Sequence, residues 1–307
     1  MDVDEERDLK VELYGLRLPE VKPGDDLARL VIDAASSEAG GIRNGDVLVV
    51  TSKVVSKAYG FLIRLDEVKP SKRALRIAEK TGGDPRFIQA VLDNSDEILF
   101  ILPFAKLIEK GVIRMEKISK NIAGAYEAIK KAPYTLIVRR GRRIYSDAGL
   151  DSSNHPEGVV SIPPRNLDEY AREIRRRIQE LTGRRVAVVI TDTEMWISLG
   201  SLDFARGSSG IEVIHRGFGD PDLYGKPKFG GVDCVADEIA CASALLMGQT
   251  DEGIPAVIIR GYKYVESEEG ISDYQISVDA MRHAVKEIVK SSIEILGFGW
   301  LFKMLIK

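Results

Sequence analysis

Asp192 stands at the end of an unbroken apolar run, Val186-Ala187-Val188-Val189-Ile190, with only Thr191 between. A carboxylate fixed to a rigid strand end can hold a hard cation in one position. A second carboxylate, Asp151, opens the polar loop Asp151-Ser152-Ser153-Asn154, and Gln249 adds a neutral oxygen between a helix and a strand. An all-oxygen set of this kind suits magnesium or manganese. Ser52, Lys53 and Lys57 follow another apolar run and offer a hydroxyl and two ammonium groups to phosphate. Each position also has a plainer reading. An aspartate after a strand is commonly a turn former, Asp-Ser-Ser-Asn is ordinary turn composition, and residues 52–57 read equally as a solvated helix start.

Other chemistries find no support. No G-x-x-x-x-G-K-[ST] phosphate loop occurs; the run from Gly219 to Lys226 has the wrong spacing and continues into Pro227. No G-x-G-x-x-G follows a strand, and no G-x-S-x-G places a serine nucleophile. His155, His215 and His283 lie far apart, without metal-ligand spacing. Cys234 and Cys241 are too few for a four-ligand zinc site and, on one helix face, too far apart for a disulfide. They read as buried small hydrophobes in a reducing compartment. The net charge of −3 gives no footing for a nucleic-acid partner. An acidic, polar start and the absence of a long apolar stretch predict a cytoplasmic protein without a membrane span.

The elements that must position these groups are those of a mixed α/β chain. Residues 11–22 read as a first strand ending at Leu18-Pro19-Glu20-Val21, and Asp25 and Asp26 open a helix to residue 38. Val47-Leu48-Val49-Val50 has the continuous apolar pattern of a strand buried on both faces. Helices are predicted near 71–82 and 84–94, a strand near 98–102, and helix over 104–132 with breaks at Gly111 and Gly124. Strands near 134–139 and 144–146 precede the polar loop at 147–155. The clearest helix follows Asn166, which is placed as its cap, and ends at Gly183. Residues 198–210 form a Gly/Ser-rich stretch, and 211–215 read as a strand, 233–247 as a helix ending at Gly248, and 256–260 as a strand. A helical region runs from residue 273 to the end.

Taken together, the loops resemble those of the coenzyme F420-0:L-glutamate ligase family. The pieces are Leu18-Pro19-Glu20-Val21, residues 52–57, Ala148 through Asn154, Ile190-Thr191-Asp192-Thr193, Asp222-Leu223-Tyr224-Gly225, Val235 through Ala240, and Met247-Gly248-Gln249 through Ile254-Pro255. They occur in the family's order across residues 11–262. The resemblance implies an α+β (mixed α/β) protein with mixed sheets, the gamma-glutamyl-ligase-type fold, forming an intertwined homodimer. It implies a ligase domain over 1–262, with an inserted helical segment near 104–132, and a C-terminal helical extension over 263–307.

The same resemblance implies a GTP-dependent amide ligation that adds L-glutamate to a deazaflavin precursor through an acyl phosphate. By residue match, Asp151, Asp192, Thr193 and Gln249 would hold two Mg2+ or Mn2+ ions, with K+ as a further candidate ion. Leu18, Pro19, Glu20, Val21, Ser52, Lys53, Lys57, Asn154, Met247, Gly248, Gln249, Thr250, Asp251, Glu252, Gly253 and Ile254 would hold GTP. Lys57 and Asp192 would carry the charge shift of the reaction. The chain departs from the family pattern after Thr193, where Glu194-Met195-Trp196-Ile197-Ser198-Leu199 replaces a glycine- and arginine-rich segment. The departure leaves two other readings open: a ligase of the same fold acting on a different acid, and a non-catalytic nucleotide-binding relative. The apolar tail after Glu294 is expected to pack on the body or a dimer mate; Trp300, Phe302 and the nearby lysines also suit a membrane surface.

Overall fold

The computed structural model describes residues 10–196 and 200–306, which leaves the acidic start and residues 197–199 of the altered segment outside the description. The chain begins with β1 (Glu12–Leu16), α1 (Leu27–Glu38), β2 (Val47–Thr51), α2 (Ser52–Ala58) and β3 (Leu62–Arg64). Then come α3 (Lys72–Thr81), α4 (Pro85–Asp93), β4 (Glu97–Leu102), α5 (Phe104–Glu109), α6 (Met115–Ile118) and α7 (Ile122–Lys131). Next are β5 (Thr135–Arg140), β6 (Arg143–Ser146), β7 (Val159–Ser161) and α8 (Leu167–Thr182). The rest is β8 (Ala187–Trp196), β9 (Gly200–Ser209), α9 (Val235–Met247), β10 (Ala256–Arg260), α10 (Val278–Leu296) and α11 (Gly299–Ile306). The chain divides after Asp273 into two compact units.

The first unit is organised by a five-stranded sheet in the order β1-β10-β2-β8-β9. The central pair, β2 and β8, is parallel, with Thr51 opposite Thr191; the other neighbours are antiparallel. Val47, Val49, Val188 and Ile190 are fully buried, as continuous apolar runs in a sheet covered on both faces must be. The helices α1 and α8 pack through Val31, Ala35, Ile174 and Ile178 into the core on one face. On the other side of the layer, α9 lies against β9, β10 and β1. A bidentate pair locks the far end of β10: Arg260 donates to both Asp46 oxygens at 2.8–2.9 Å and also to the carbonyls of Ala39 and Gly41.

This order has a direct consequence for position. Strands β1, β2 and β8 end at one edge of the sheet, and β9 and β10 begin there, because they run the opposite way. The ends of β1 and β2, the start of β10 and the β8–β9 hairpin, four segments distant in sequence, therefore gather along that edge. Ligands collect at such strand ends in α/β sheets.

A smaller region between β2 and β8 brings in a fifth segment. The sheet β4-β5-β6 packs Leu136, Val138 and Tyr145 against Ile88 and Val91 of α4, with Val160 and Ile162 completing the core. The loop after β6 bends sharply, with Asp147 and Ala148 both at positive φ ahead of Gly149. Non-glycine residues rarely adopt that conformation and keep it only when their surroundings enforce it. Here Asp147 accepts the Leu136 N–H at 2.8 Å and the Ala148 side chain is fully buried. The bend points the chain at Asp151, whose backbone bridges to Ser161.

Several expectations are corrected. The Gly/Ser-rich stretch, to which the sequence assigned no element, contains β9, paired with β8 in a long hairpin, whereas residues 211–215 form no strand. The small residues serve packing rather than flexibility: a Cβ on Gly207 would lie 2.5 Å from the Leu167 backbone. One irregularity interrupts the hairpin. Ile190 pairs with Gly207 but Thr191 pairs with Ala205, so Arg206 is an extra residue on β9. Gly124 does not break a helix; its N–H is bound by Asn121 in the first turn of α7. Asn166 sits at the start of α8 without capping it, donating instead to Glu169. Both cysteines are free thiols, but only partly buried.

The second unit comprises α10 and α11, with Ser277 capping α10 through the Ala280 N–H. Among the described residues, no helix is long and apolar enough to cross a membrane.

Candidate active site

The shared strand edge opens into a cleft of about 530 Å3. One wall is the turn after β1, residues 18–21, in which Val21 is anchored in the core. A second wall is α2, presenting Lys53 and Lys57 from its first two turns. Opposite lies the segment after α9, where Met247, Gly248, Gln249, Thr250, Asp251, Glu252, Gly253 and Ile254 lead into β10. Glycine at 248 is favoured by its positive φ, and a Cβ there would meet the Glu252 carboxylate at 2.2–2.5 Å and displace it from its place in the turn. That carboxylate accepts the Thr250 N–H at 2.8 Å and gives the turn its shape.

The loop from the smaller region crosses the mouth of the cleft and ties these walls together. Lys53 Nζ lies 2.9 Å from Asp151 Oδ2 and donates to Ser153 Oγ at 2.5 Å. Lys57 Nζ donates to the Asn154 carbonyl at 2.6 Å, and Asn154 Nδ2 donates to the Thr250 carbonyl at 3.1 Å. Asn154 adopts positive φ, which asparagine tolerates better than most residues.

Asp192 and Thr193 line the cleft from adjacent positions on β8. Successive strand side chains leave on opposite faces, so the two meet different neighbours. Asp192 is paired with the Ser52 hydroxyl and feels the charge of Asp151. Thr193 accepts the Gln249 amide at 3.2 Å and donates to Asp203 Oδ1 at 2.7 Å. Of the four oxygen-bearing residues expected from sequence, Thr193 and Gln249 are hydrogen-bonded to each other, while Asp151 acts on Asp192 through its charge. Among the described residues, no three acidic, histidine or cysteine side chains gather as a ready cation cage.

The electrostatics follow from crowding of like charge in a partly closed space. Burial pushes the Asp192 carboxyl up to about 7; Arg206 pulls it down, while Glu194 and Asp151 raise it further. Burial also acts to raise Asp151, but Lys53 and the Ser153 donors outweigh it and hold that carboxylate below its usual range. Burial lowers the Lys57 ammonium, against the attraction of Glu20 and Asp151. Such opposed shifts within one cleft are characteristic of functional sites.

Of the residues expected from sequence, Ser52 alone is absent from the cleft wall, because its side chain is buried behind it against Asp192. Sequence reasoning missed Asp203, a carboxylate buried at the cleft wall, along with Thr191 and Ser153. It also missed what Glu194 does. Glu194 accepts from Arg206 at 2.5 Å and from the Ser146 hydroxyl at 2.6 Å, while Arg143 donates to the Arg206 carbonyl. This buried network joins the hairpin to β6.

Relatives match most of this chain's length. A sequence profile of the F420-0:Gamma-glutamyl ligase family matches residues 15–261. Coenzyme F420:L-glutamate ligase of Archaeoglobus fulgidus is 40% identical over 255 residues, covering 82% of this chain and 88% of its own. The protein of the same name in Methanothermobacter thermautotrophicus is 36% identical over 267 residues, covering 85% and 94%. That of Methanopyrus kandleri is 38% identical over 244 residues, covering 79% and 83%. The matched residues include every segment that lines the cleft. The chain belongs to the F420-0:gamma-glutamyl ligase family.

Proposed function

We propose that the chain is a ligase that adds L-glutamate to coenzyme F420-0, using GTP and divalent cations and passing through an acyl phosphate. The observation that carries this reading is the single cleft that gathers Lys53, Lys57, Asp151, Asp192, Thr193 and Gln249 from four separate segments, in a chain of this family. The donor set fits Mg2+ or Mn2+: it is all oxygen, and the crowded Asp151 and Asp192 carboxylates repel each other in the absence of a cation. When bound, such ions neutralise the negative oxygens that meet as phosphoryl transfer begins.

The chain's own groups then have separate tasks. Residues 18–21 and 247–254 form two walls around a nucleotide, and Asn154 holds the mouth of the cleft to Thr250. Lys57 faces the phosphates with an ammonium that donates to the neutral Asn154 carbonyl. The acceptor carboxylate takes the γ-phosphoryl group of GTP, giving an acyl phosphate and GDP. The glutamate amine then attacks the acyl carbon and phosphate leaves. Positioning and charge carry such a reaction, so no placed histidine is needed.

A second reading, a ligase for another acid, draws on Glu194. In the segment that departs from the family pattern, this side chain is spent on Arg206 and Ser146 rather than left for substrate. The test is incubation of the protein with GTP, Mn2+, L-glutamate and F420-0, followed by mass analysis. Glutamylated product with matching GDP release is expected. GDP release only with a different acid supports the second reading, and GTP binding without hydrolysis under any condition overturns both.

We also propose a homodimer. The hydrogen-bonded arm at 215–233 presents Leu223, Tyr224 and Phe229 almost fully exposed, an apolar tip that a second copy would cover. Light scattering of the purified protein is expected to give twice the chain mass, and Leu223→Asp with Phe229→Asp to lower it toward one. A wild-type monomer at micromolar concentration overturns the dimer.

A further inference from the structure

Asp203 is a carboxylate only 4% exposed at the cleft wall, with no cation among its hydrogen-bond partners. Oδ1 accepts the Thr193 hydroxyl at 2.7 Å, and Oδ2 lies 3.5 Å from the Thr191 hydroxyl. Burying such a group is costly unless its interactions repay it. Its place in the fold is set by the bulge: with Ile190 opposite Gly207, a regular ladder would put Phe204 opposite Thr193. The extra residue Arg206 advances the register by one, so that Asp203 becomes the direct cross-strand partner of Thr193 on the same face.

A hydroxyl has one proton and two lone pairs. One lone pair of Thr193 takes the Gln249 N–H, and the proton goes to Asp203. The remaining lone pair is thereby directed, since the hydroxyl cannot rotate without losing a charge-assisted bond. We propose that Asp203 is a positioning residue that fixes the Thr193 hydroxyl proton so that the oxygen's free lone pair is held ready for a divalent cation. The proposal rests on the cation reading of the cleft given above. Asp203 acts through Thr193 rather than as a ligand, because Oδ1 is already occupied and the side chain is almost wholly buried. Outer-shell partners of this kind typically change metal affinity about 10–100-fold.

The test is Mn2+ binding to the apo protein, followed by electron paramagnetic resonance and calorimetry, with no substrate present. Asp203→Asn is expected to weaken the Thr193-side Mn2+ equivalent by about 10–100-fold while the other equivalent is kept. Thr193→Val should produce the same loss, and Thr193→Ser should restore most of it. In the Thr193→Val background, Asp203→Asn should then change Mn2+ affinity little, since its effect passes through the hydroxyl. If Asp203→Asn does not fold, Thr193→Val and Thr193→Ser still decide: equal Mn2+ affinity in the two overturns the proposal. So does Asp203→Asn affinity within about twofold of wild type, or an effect that adds in full to that of Thr193→Val. Asp192→Asn separates the two levels. Should it, too, leave Mn2+ binding unchanged, the cation reading itself fails; should it lose binding while Asp203→Asn does not, only the role of Asp203 fails.

Discussion

Asp192→Asn is expected to lower cation-supported GTP turnover by about a thousandfold, roughly 4 kcal/mol of transition-state stabilisation, while leaving the apo protein at least as stable. The substitution keeps the shape of the side chain and removes its charge. That charge is the most strained in the cleft, raised to about 7 by burial, with Glu194 and Asp151 repelling it. In the apo protein the loss of charge relieves repulsion, so the melting temperature should hold or rise. In the proposed reaction it would remove a carboxylate charge offered to a cation. A purely structural aspartate would behave in the opposite way, with stability falling and activity following it. Full activity in the variant, measured as GDP release at saturating Mn2+, would show that the site is misplaced. Functional residues commonly show this opposition between stability and activity.

Lys57→Met should cost turnover about a hundredfold, near 2.7 kcal/mol, and Lys53→Met distinctly less. Both lysines lie on α2 and both meet the loop at 153–154, so position alone does not separate them. Their partners do. Lys53 is ion-paired with Asp151 at 2.9 Å, whereas the Lys57 ammonium donates to a neutral carbonyl. A cation already neutralised by a carboxylate has less to offer a triphosphate. The loss at Lys57 should fall mainly on kcat, because charge accumulates on the transferred phosphoryl group as it moves. Steady-state kinetics with GTP as the varied substrate gives the comparison. Equal losses in the two variants, or a change confined to KM in Lys57→Met, would remove the distinction.

The parts of the fold legible in sequence were those governed by local rules. Asp26, read as opening its helix, caps it by accepting from Arg29; Asn166, read as a cap by the same rule, donates to Glu169 instead. The runs at 47–50 and 186–190 are as buried as their composition demands. Residues of the cleft were legible because they sit where such strands end. What escaped was set by tertiary contact. Strand β9 went unassigned because Gly207, Ser208 and Ser209 have no large apolar side chains to show an alternating pattern, yet Gly207 is small so that Leu167 can approach. Asp203 was hidden with it, since neither the hairpin nor its one-residue bulge leaves a local signal. In the same way, Ile211 and Val213 suggested a strand by being apolar, and they are buried without joining a ladder.

The position of β10 between β1 and β2 bears on how the molecule comes into being. During synthesis Glu12 waits for Arg260, its partner in the ladder, so β1 stays an unsatisfied edge until almost the whole ligase region has left the ribosome. A chain halted before Gly248 would have neither the complete five-stranded sheet nor the 248–255 turn that lines the cleft. Until then the unpaired β1 is where a chaperone would be needed.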